Sequence, residues 1–362
     1  MNKSRASLVN KQHTIFVSVL GKDISYDTGI NVRAKNIFKL LSNHFNSKLV
    51  ARGNSRVAFN NIIIITPATT KIWNIKLISI IIGNKFDCVY CIGDLFGFIT
   101  YYLFSKIYKY NVIFDATGVY SHIKKSMIKR WLYKILEKFV IEKSDYVTCI
   151  SKYVYNYYIR YNKNMSVLPI FTNCNSINYE ITKKYFERKD IRVLGMIGPF
   201  DSSSNTFYQQ FLEKRLKELD KKIIIKMIGT YTNKIKSNKV LYTGYIKSFK
   251  KYIYELASLD AVLIPHKPDD PGPYTKIIES MLCGLTVFTT PKGTFGLDHL
   301  NAGKNILVFM EDEIVSKINE LIFNDELMKS IGENAKMTIK KHYSLQKNET
   351  RLLRILNEVL KN

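Results

Sequence analysis

The 362-residue sequence contains no uncharged apolar run of the roughly 18 residues that an apolar helix needs to cross a bilayer. We therefore expect no membrane-spanning segment. The first 23 residues carry charge and only one short apolar run, TIFVSVL, which predicts a first strand and not a secretory signal peptide. The sequence also lacks short internal repeats and low-complexity tracts.

Cysteine is scarce, and its count of five is odd. Cys88 and Cys149 lie inside apolar, strand-like runs. Cys88 and Cys91 have CxxC spacing, but neither a second pair nor a nearby His completes a metal site. The pattern indicates buried thiols in a reducing compartment, so we predict a cytoplasmic protein.

Acidic residues are few, 30 against 55 basic ones, and the net charge is +25. Residues 1–172 carry 25 basic and 8 acidic residues, so this half holds most of the excess. Such a surface favours an anionic partner. Phospholipid headgroups, nucleic acid and anionic saccharides all remain open on this ground.

Short β-branched runs alternate with helical patterns along the chain, from HTIFVSVL to SVLPIF and again from IRVLGMIG onward. Strict alternation predicts βαβ units and mainly parallel sheets. We therefore predict an α/β protein of two Rossmann-like domains facing each other across a cleft. The predicted parts are an N-terminal domain at 1–172, a linker at 173–190, a C-terminal domain at 191–343, and a C-terminal helix at 344–362.

The stretch HKPDDPGPYTKIIESMLCG, residues 266–284, sets an acidic, proline-containing turn directly before an amphipathic helix. Its apolar residues share one helical face: Ile277, Ile278, Met281 and Leu282. Gly284 is a natural stop for this helix. The backbone amides of Tyr274 and Thr275 then lie at a helix N-terminus, which suits a phosphate.

Glu279 lies one turn inside this helix, where its carboxylate can accept two hydrogen bonds from a diol such as a ribose. The alternative is an ordinary surface pair of Lys276 and Glu279 on the exposed side of the helix. The residues alone leave both interpretations open.

PGPYTKIIESMLCGLTVFTT resembles the core motif of GT-B glycosyltransferases, specifically family 4 of the retaining nucleotide-sugar enzymes. The segments TGYI, LASLDAVLIP and GTFGLDHLNAGKNILVF resemble the same family in the same order. The resemblance covers most of 191–345, and it implies that the helix at 344–362 returns to the N-terminal domain. It is looser over 1–172, where it rests on the βαβ order, YDTGI and DATGVYSH.

The resemblance implies a donor site. In that family the Glu at the position of Glu279 binds the nucleotide ribose, and the amides matching Tyr274 and Thr275 approach the diphosphate. The segment matching Gly244 and Tyr245 lines the base. A glycine loop of the N-terminal domain, here with Gly29, closes over the phosphates and the sugar, and further donor-binding residues are expected at Gly198 and Gly272.

This sequence departs from the family pattern at two places. The family commonly has a second Glu eight residues before the ribose Glu, where this chain has Pro271; the adjacent Asp269 and Asp270 could supply that carboxylate. The loop after the first strand of the C-terminal domain, GPFDSSSNTF, lacks the Arg and Lys that commonly clamp the diphosphate. Neutralisation would then fall to the helix terminus and to basic residues nearby: His266, Lys267 and Lys276.

We expect no metal and no cofactor besides the nucleotide-sugar donor, a UDP- or GDP-sugar. The resemblance implies front-side attack, in which the leaving phosphate helps to deprotonate the acceptor hydroxyl. A polar residue of the N-terminal domain is still expected near the sugar, and the candidates are Asp115 and His122, besides Asp270. For His122 the alternative is a solvent-exposed loop imidazole.

Residues 122–143, HIKKSMIKRWLYKILEKFVIEK, form a basic amphipathic pattern with Trp131 and Phe139. Such a helix suits an anionic membrane surface. It equally suits a helix whose apolar face packs on its own sheet while its cationic face meets solvent or headgroups. The family resemblance favours the membrane, because many relatives extend lipid-linked saccharides at the cytoplasmic leaflet.

The sequence thus predicts a retaining, metal-independent, hexosyltransferase-type enzyme. It would use a saccharide or lipid-linked acceptor in surface polysaccharide or glycan assembly, at the inner face of the cell membrane. One alternative is a nucleic-acid-modifying sugar transferase, although nucleic acid is not the expected partner. The other is a GT-B scaffold that has lost catalysis, as Pro271 and the missing basic clamp permit.

Overall fold

The computed structural model describes residues 13–21, 23–24, 29–53, 61–65, 75–172, 190–198, 200, 206–231, 233–266 and 275–361. The chain divides into two compact units, one of Met1–Phe171 with Asn348–Asn362 and one of Thr172–Lys347. Both are built from parallel strands joined by helices, as the alternation of the sequence predicts.

The N-terminal unit contains a seven-stranded sheet in the order β3-β2-β1-β4-β5-β6-β7. Its strands are β1 (Thr14–Val19), β2 (Asn46–Arg52), β3 (Ile62–Ile65), β4 (Cys88–Ile92), β5 (Asn111–Ala116), β6 (Tyr146–Cys149) and β7 (Met165–Val167). Its helices are α1 (Gly29–Ser42), α2 (Ile75–Gly83), α3 (Leu95–Tyr108), α4 (Met127–Lys143) and α5 (Lys152–Tyr158).

The C-terminal unit contains a six-stranded sheet in the order β10-β9-β8-β11-β12-β13. Its strands are β8 (Arg192–Ile197), β9 (Ile223–Ile228), β10 (Val240–Gly244), β11 (Ala261–Ile264), β12 (Thr286–Thr289) and β13 (Leu307–Val308). The helices that follow β7 are α6 (Thr206–Arg215), α7 (Phe249–Ala257), α8 (Thr275–Leu282), α9 (Ile314–Leu321), α10 (Asp325–His342) and α11 (Leu345–Val359).

The central strands are apolar along their whole length because helices cover both faces of a parallel sheet. All five residues of β4 and all four of β11 are buried. The thiols of Cys88, Cys91 and Cys149 lie in this core, and burial raises the pKa of each. They are buried, unreactive thiols, as the sequence indicates.

The C-terminal end of α11 lies against the N-terminal unit. The side-chain amide of Asn111 donates to the carbonyl oxygen of Val359 at 2.8 Å. The Arg351 guanidinium donates to the carbonyl oxygen of Val167 at 3.1 Å. A third contact of α11 is made by Glu349, whose Oε1 lies 2.8 Å from Nε2 of His44 in the N-terminal unit.

Candidate functional site

Each sheet has a switch point, the place where the strand order reverses direction, between β1 and β4 in the N-terminal unit and between β8 and β11 in the C-terminal unit. In open α/β sheets, ligands bind beyond the carboxyl ends of the strands at such a point. In the C-terminal unit, Gly198 follows β8, while His266 and then α8 follow β11. Of the predicted donor residues, Gly198 and His266 therefore lie where the topology favours a ligand.

Three glycines line the carboxyl ends of β8, β9 and β10. The Gly198 amide donates to the carbonyl oxygen of Ile228 at 2.8 Å, and the Gly229 amide donates to that of Gly244 at 3.2 Å. Gly229 and Gly244 have φ of +133° and +71°, a backbone that side-chain-bearing residues rarely adopt. At Gly229, a Cβ atom would lie 3.1 Å from the Gly198 Cα. This edge therefore presents backbone, as an approaching nucleotide requires.

Glu279 lies on α8 with its carboxylate oriented by a neighbouring helix. The hydroxyl of Tyr252, on α7, donates to Glu279 Oε2 at 2.8 Å. Burial raises the pKa of Tyr252 well above its ordinary value, and the Glu279 charge raises it further. The phenol therefore stays protonated and keeps donating to the carboxylate. Glu279 is half-buried, so it is fixed in orientation without being sealed in the core.

Lys276 does not lie on the exposed side of α8, as the alternative surface-pair interpretation required. Its side chain is buried, and its ammonium donates to the carbonyl oxygen of Ile197 at 3.3 Å. The same ammonium lies 3.9 Å from the centre of the Tyr208 ring. The ammonium of Lys276 therefore lies at the end of β8. The loop that follows this strand, GPFDSSSNTF, contains no basic residue.

His266 completes this cluster. Its ring nitrogen Nδ1 lies 3.0 Å from the Tyr208 hydroxyl. Its backbone amide donates to Thr290 Oγ1, and that hydroxyl donates to the His266 carbonyl oxygen, both at 2.9 Å. Gly293 packs so closely that a Cβ atom there would lie 3.0 Å from the His266 ring. Lys276, Tyr208 and His266 therefore form one buried polar cluster beside the predicted diphosphate position.

Other predicted donor residues have different places. Thr275 is the first residue of α8 and is half-buried. Tyr245 follows Gly244 directly and is largely exposed. Gly272, Tyr274, Asp270 and the other predicted residues between 267 and 274 lie outside the described residues, so their roles stay predictions.

In the N-terminal unit, Gly29 begins α1, beyond the carboxyl end of β1. Gly93, directly after β4, has φ of +64°. A Cβ atom there would lie 2.7 Å from a methyl carbon of Ile30 and 2.9 Å from the hydroxyl oxygen of Thr117. The fold therefore gathers the start of α1 and the loop after β5 at the switch point of this sheet.

Asp115, which the sequence analysis predicts near the sugar, has its carboxylate engaged in an internal ion pair. It is completely buried and accepts two hydrogen bonds from Arg33, at 2.6 and 2.8 Å. The Thr148 hydroxyl donates to it at 2.7 Å. Burial alone would lower the pKa of Arg33, but the charge and hydrogen bonds of Asp115 raise it above the ordinary value. Both carboxylate oxygens thus serve an internal ion pair, because a buried charge must be paired.

Arg33 extends this network to the strand ends, donating to the carbonyl oxygens of Leu168 and Pro169 at 2.8 and 2.9 Å. The network therefore ties α1 to the sheet at the edge that carries Gly29 and His122.

His122 is exposed, in the loop after β5. Its Nδ1 lies 2.7 Å from the Tyr153 hydroxyl, and its ring meets the Tyr157 ring edge-on at 5.0 Å. The preceding residue is held by α4, since Glu137 accepts bonds from the Ser121 amide at 2.8 Å and from its hydroxyl at 2.7 Å. The loop that presents this imidazole is therefore fixed by a buried carboxylate.

No functional role was predicted for Tyr252, Tyr208, Arg33 or Glu137. A helix over 249–257 was predictable, but which of its tyrosines reaches Glu279 depends on how α7 packs against α8. Glu137 could have been noticed as one of two acids within a strongly basic helix. Arg33 and Asp115 are 82 residues apart in the chain, so no local pattern links them.

Among the described residues, no cluster of three or more His, Cys, Asp or Glu side chains could hold a metal ion. In the same part of the chain, no helix combines the length and apolar character that crossing a bilayer requires.

Comparison with known sequences identifies relatives for part of the chain. Residues 206–354 match a family described as Glycosyl transferase-like. Two uncharacterized glycosyltransferases of Methanocaldococcus jannaschii are 26% and 24% identical over 62% and 60% of this chain. The matches span 61% and 60% of the length of these relatives.

Solved structures resemble almost the whole chain. A sucrose-phosphate synthase from Thermosynechococcus elongatus has a TM-score of 0.77 at 12% identity, covering 96% of this chain and 99% of its own. The Anabaena protein HepE, in complex with UDP and glucose, has a TM-score of 0.72 at 14% identity, covering 95% and 99%. At such identity the likeness concerns the fold, and it confirms the predicted GT-B class.

Proposed function

We propose that this chain, a GT-B-fold protein whose residues 206–354 match a glycosyl transferase-like family, transfers a sugar from a nucleotide-diphosphate sugar to an acceptor hydroxyl. The observation that carries the proposal is the Glu279 carboxylate. It lies on α8, the helix that follows the switch-point strand β11, and it is oriented by the Tyr252 hydroxyl of α7. A fixed, half-buried carboxylate at this place suits the two hydroxyls of a ribose.

The donor is proposed to be a UDP- or GDP-sugar. The HepE structures contain UDP, UDP with glucose, and UDP-glucose, which supports a uridine nucleotide as the first to test. Membership of family 4 and a hexose as the transferred sugar remain part of the proposal. Gly244 and Tyr245 would lie against the base, and Gly198 against the phosphates.

Charge neutralisation without a metal is proposed to come from α8 itself. Lys276 brings an ammonium to the end of β8, and the amide groups at the start of α8 add the partial positive charge of a helix N-terminus. This cation would replace the Arg and Lys that family members commonly carry after the first strand of this domain. Developing charge on the leaving diphosphate would be stabilised by groups already fixed before reaction.

Transfer is proposed to proceed with retention, by front-side attack assisted by the leaving phosphate, as the family resemblance implies. His122, in the loop fixed by Glu137, is the N-terminal residue we propose to lie near the sugar. The acceptor is proposed to be a saccharide or a lipid-linked saccharide of surface polysaccharide assembly. The enzyme would work in the cytoplasm, peripherally bound to the inner face of the cell membrane.

The test is a thermal-stability panel with UDP, GDP, ADP and dTDP and their glucose derivatives. One nucleotide family should raise the midpoint of unfolding, because a ligand that binds only the folded state stabilises it. Glu279→Ala should abolish that rise. Glu333→Gln, a change at an exposed acid of α10, should leave the rise intact.

Donor hydrolysis in the absence of acceptor would separate an enzyme from a binding scaffold. If a nucleotide sugar stabilises the protein but is never hydrolysed, and no acceptor is glycosylated, the protein is a binding scaffold and not an enzyme. If no nucleotide stabilises the wild type, the proposed donor site is wrong.

A further inference from the structure

Helix α4 turns its apolar residues towards solvent. Five of them share one face at the spacing i, i+1, i+4, i+5 and i+8, and we call this set the apolar stripe: Met127, Ile128, Trp131, Leu132 and Ile135. Their exposed fractions range from 49% to 83%. Inward-facing residues of the helix are instead Glu137, Val140 and Ile141. The alternative in which the apolar face packs on the sheet therefore does not hold for the apolar stripe.

Cations flank the stripe on both sides. At about 100° per residue, Arg130 and Lys134 lie along one edge, and Lys129 and Lys143 along the other. All four are exposed. The two acids of the helix are engaged elsewhere, since buried Glu137 accepts hydrogen bonds from Ser121 and Glu142 is paired with Lys138 at 3.7 Å.

The neighbouring helix α3 also exposes apolar residues. It packs beside α4 through the rings of Tyr102 and Phe139, which meet edge-on at 5.7 Å. On its outer side it exposes Leu103, Ile107 and Tyr108. An apolar surface of this kind, rimmed by polar groups, marks an interaction site.

We propose that the apolar stripe of α4 inserts into the headgroup region of a bilayer containing anionic lipids, with the flanking lysines and arginine contacting the headgroups. This surface would hold the enzyme near lipid-linked acceptors. Membrane binding itself is argued from the exposed residues, and only the presence of acceptors in that membrane rests on the proposed function. A helix lying in the interface buries its apolar face at the acyl boundary and keeps its cations at headgroup level.

Charge complementarity favours this occupant over a protein partner. Residues 1–172 carry a large cationic excess, which a continuous anionic surface attracts more strongly than a single acidic groove. Cations on both edges of a convex stripe match a planar surface, because each edge then reaches headgroups.

The first experiment measures flotation of the full chain with vesicles of phosphatidylcholine alone and with about 30 mol% phosphatidylglycerol, at low and high salt. The expected result is partitioning roughly tenfold or more stronger onto the anionic vesicles, weakening as salt rises. The double substitution Ile128→Gln/Trp131→Gln should lower partitioning roughly tenfold or more, since it replaces two large, exposed apolar side chains of the stripe by amides. Met310→Gln/Met337→Gln, at exposed methionines of the C-terminal unit, should change it less than about twofold.

Insertion itself is read from Trp131. The chain has two tryptophans, so Trp73→Phe leaves Trp131 as the single reporter. Its emission should shift to the blue on anionic vesicles, and lipids brominated in the acyl chain should quench it. An unshifted, unquenched Trp131 on bound protein would overturn insertion.

Three other outcomes would overturn the proposal. One is absence of binding to either vesicle. Another is anionic binding unaffected by Ile128→Gln/Trp131→Gln, which would mean adsorption by charge alone. The third is a wild-type dimer in solution that the same double substitution dissociates, which would make a second copy of the chain the occupant.

This result and the donor result can fail separately. Nucleotide-dependent stabilisation is measured without vesicles, and Ile128→Gln/Trp131→Gln should retain it. Vesicle binding is measured without nucleotide. If the protein floats with vesicles but binds no nucleotide, the membrane-binding surface is supported and the proposed donor site is wrong.

Discussion

Helices α4 and α8 have similar amphipathic sequence patterns, but the apolar face is buried in α8 and largely exposed in α4. In α8 the apolar residues Ile277, Ile278, Met281 and Leu282 are fully buried, and Glu279 lies at the surface of the predicted site. In α4 the apolar stripe is exposed, and a carboxylate, Glu137, is buried instead. Amphipathic spacing therefore predicts a helix with two faces without saying which face meets the core.

The surroundings of each helix explain the difference. Helix α8 lies between β11 and β12 in the chain and packs on α10 and β12, so its apolar face is covered from several sides. Helix α4 packs mainly against α3, and its inward face supplies the buried acceptors that Ser121 needs. A buried donor without a partner is costly, so Glu137 takes the inward position.

The largest expected effect is on the free energy of unfolding, when a leucine is replaced by glutamine in each of the two helices. Leu282→Gln in α8 should lower the free energy of unfolding by about 3 kcal/mol or more, because it places an amide in a fully buried site. Leu132→Gln in α4 should change it by less than about 0.5 kcal/mol. Urea denaturation of both variants measures the contrast. Equal losses would show that Leu132 is covered in solution and would break the comparison.

Lys276→Met tests the charge that α8 carries inward. Methionine keeps the buried stem but removes the ammonium, so affinity for the nucleotide-diphosphate donor should fall by roughly thirty- to hundredfold, as is typical when one partner of a buried charge contact is removed. Isothermal titration with the nucleotide that stabilises the wild type gives the value.

The matched control for Lys276→Met is Lys329→Met, which removes the same charge from the exposed side of α10. Its donor affinity should stay within about twofold of the wild type. If both variants bind the donor equally well, Lys276 does not neutralise the diphosphate, and the missing clamp of this chain is replaced elsewhere.

The sequence was sufficient for the order of elements, because strand and helix periodicities differ and caps mark the ends. Helix α7 begins after Ser248, whose side chain accepts a hydrogen bond from the Lys251 amide, and serine is a preferred cap at this position. Strand β10 ends at Gly244, since Gly244 adopts a positive φ that breaks the extended backbone. Local rules decide such features, and local sequence therefore predicts them.

The site was predictable where a motif lies on one element and not where it joins several. Glu279 follows from the spacing of α8, but its partner Tyr252 lies 27 residues earlier. Asp115 was placed near the substrate because it ends a strand, yet Arg33, far away in sequence, draws it into an internal ion pair. Which side chain meets which is set by packing of distant segments.

Glu137→Gln tests the inward face of α4. An amide keeps the size of the side chain but loses one of the two acceptors for Ser121, so the free energy of unfolding should fall by about 2 kcal/mol. Glu142→Gln, on the same helix but exposed and paired with Lys138, should cost less than about 0.5 kcal/mol. Equal costs in denaturation experiments would mean that the buried carboxylate does not hold the His122 loop.

The smallest expected effect is that of Tyr252→Phe, which removes one hydroxyl and leaves Glu279 free to reorient. Donor affinity should fall about fivefold, corresponding to roughly 1 kcal/mol for one hydrogen bond. Glu279→Ala combined with Tyr252→Phe should bind the donor no more weakly than Glu279→Ala alone, because the tyrosine acts only through the carboxylate. An additional loss in the double variant would show that Tyr252 contacts the donor directly.

The pH dependence of the free energy of unfolding separates the contribution of Tyr252 to stability from its effect on donor binding. Burial and the neighbouring Glu279 charge raise the pKa of Tyr252 well above its ordinary value of 10.0, so the unfolded chain loses this proton at lower pH than the folded one. The stability that Tyr252 contributes is therefore fully present below about pH 10 and is lost as pH rises through the folded-state pKa. The difference in unfolding free energy between wild type and Tyr252→Phe should be constant from about pH 7 to 9 and then shift against the wild type. A constant difference up to pH 11 would mean that the phenol ionises as readily in the folded protein as in the unfolded chain, and that α7 does not shield it.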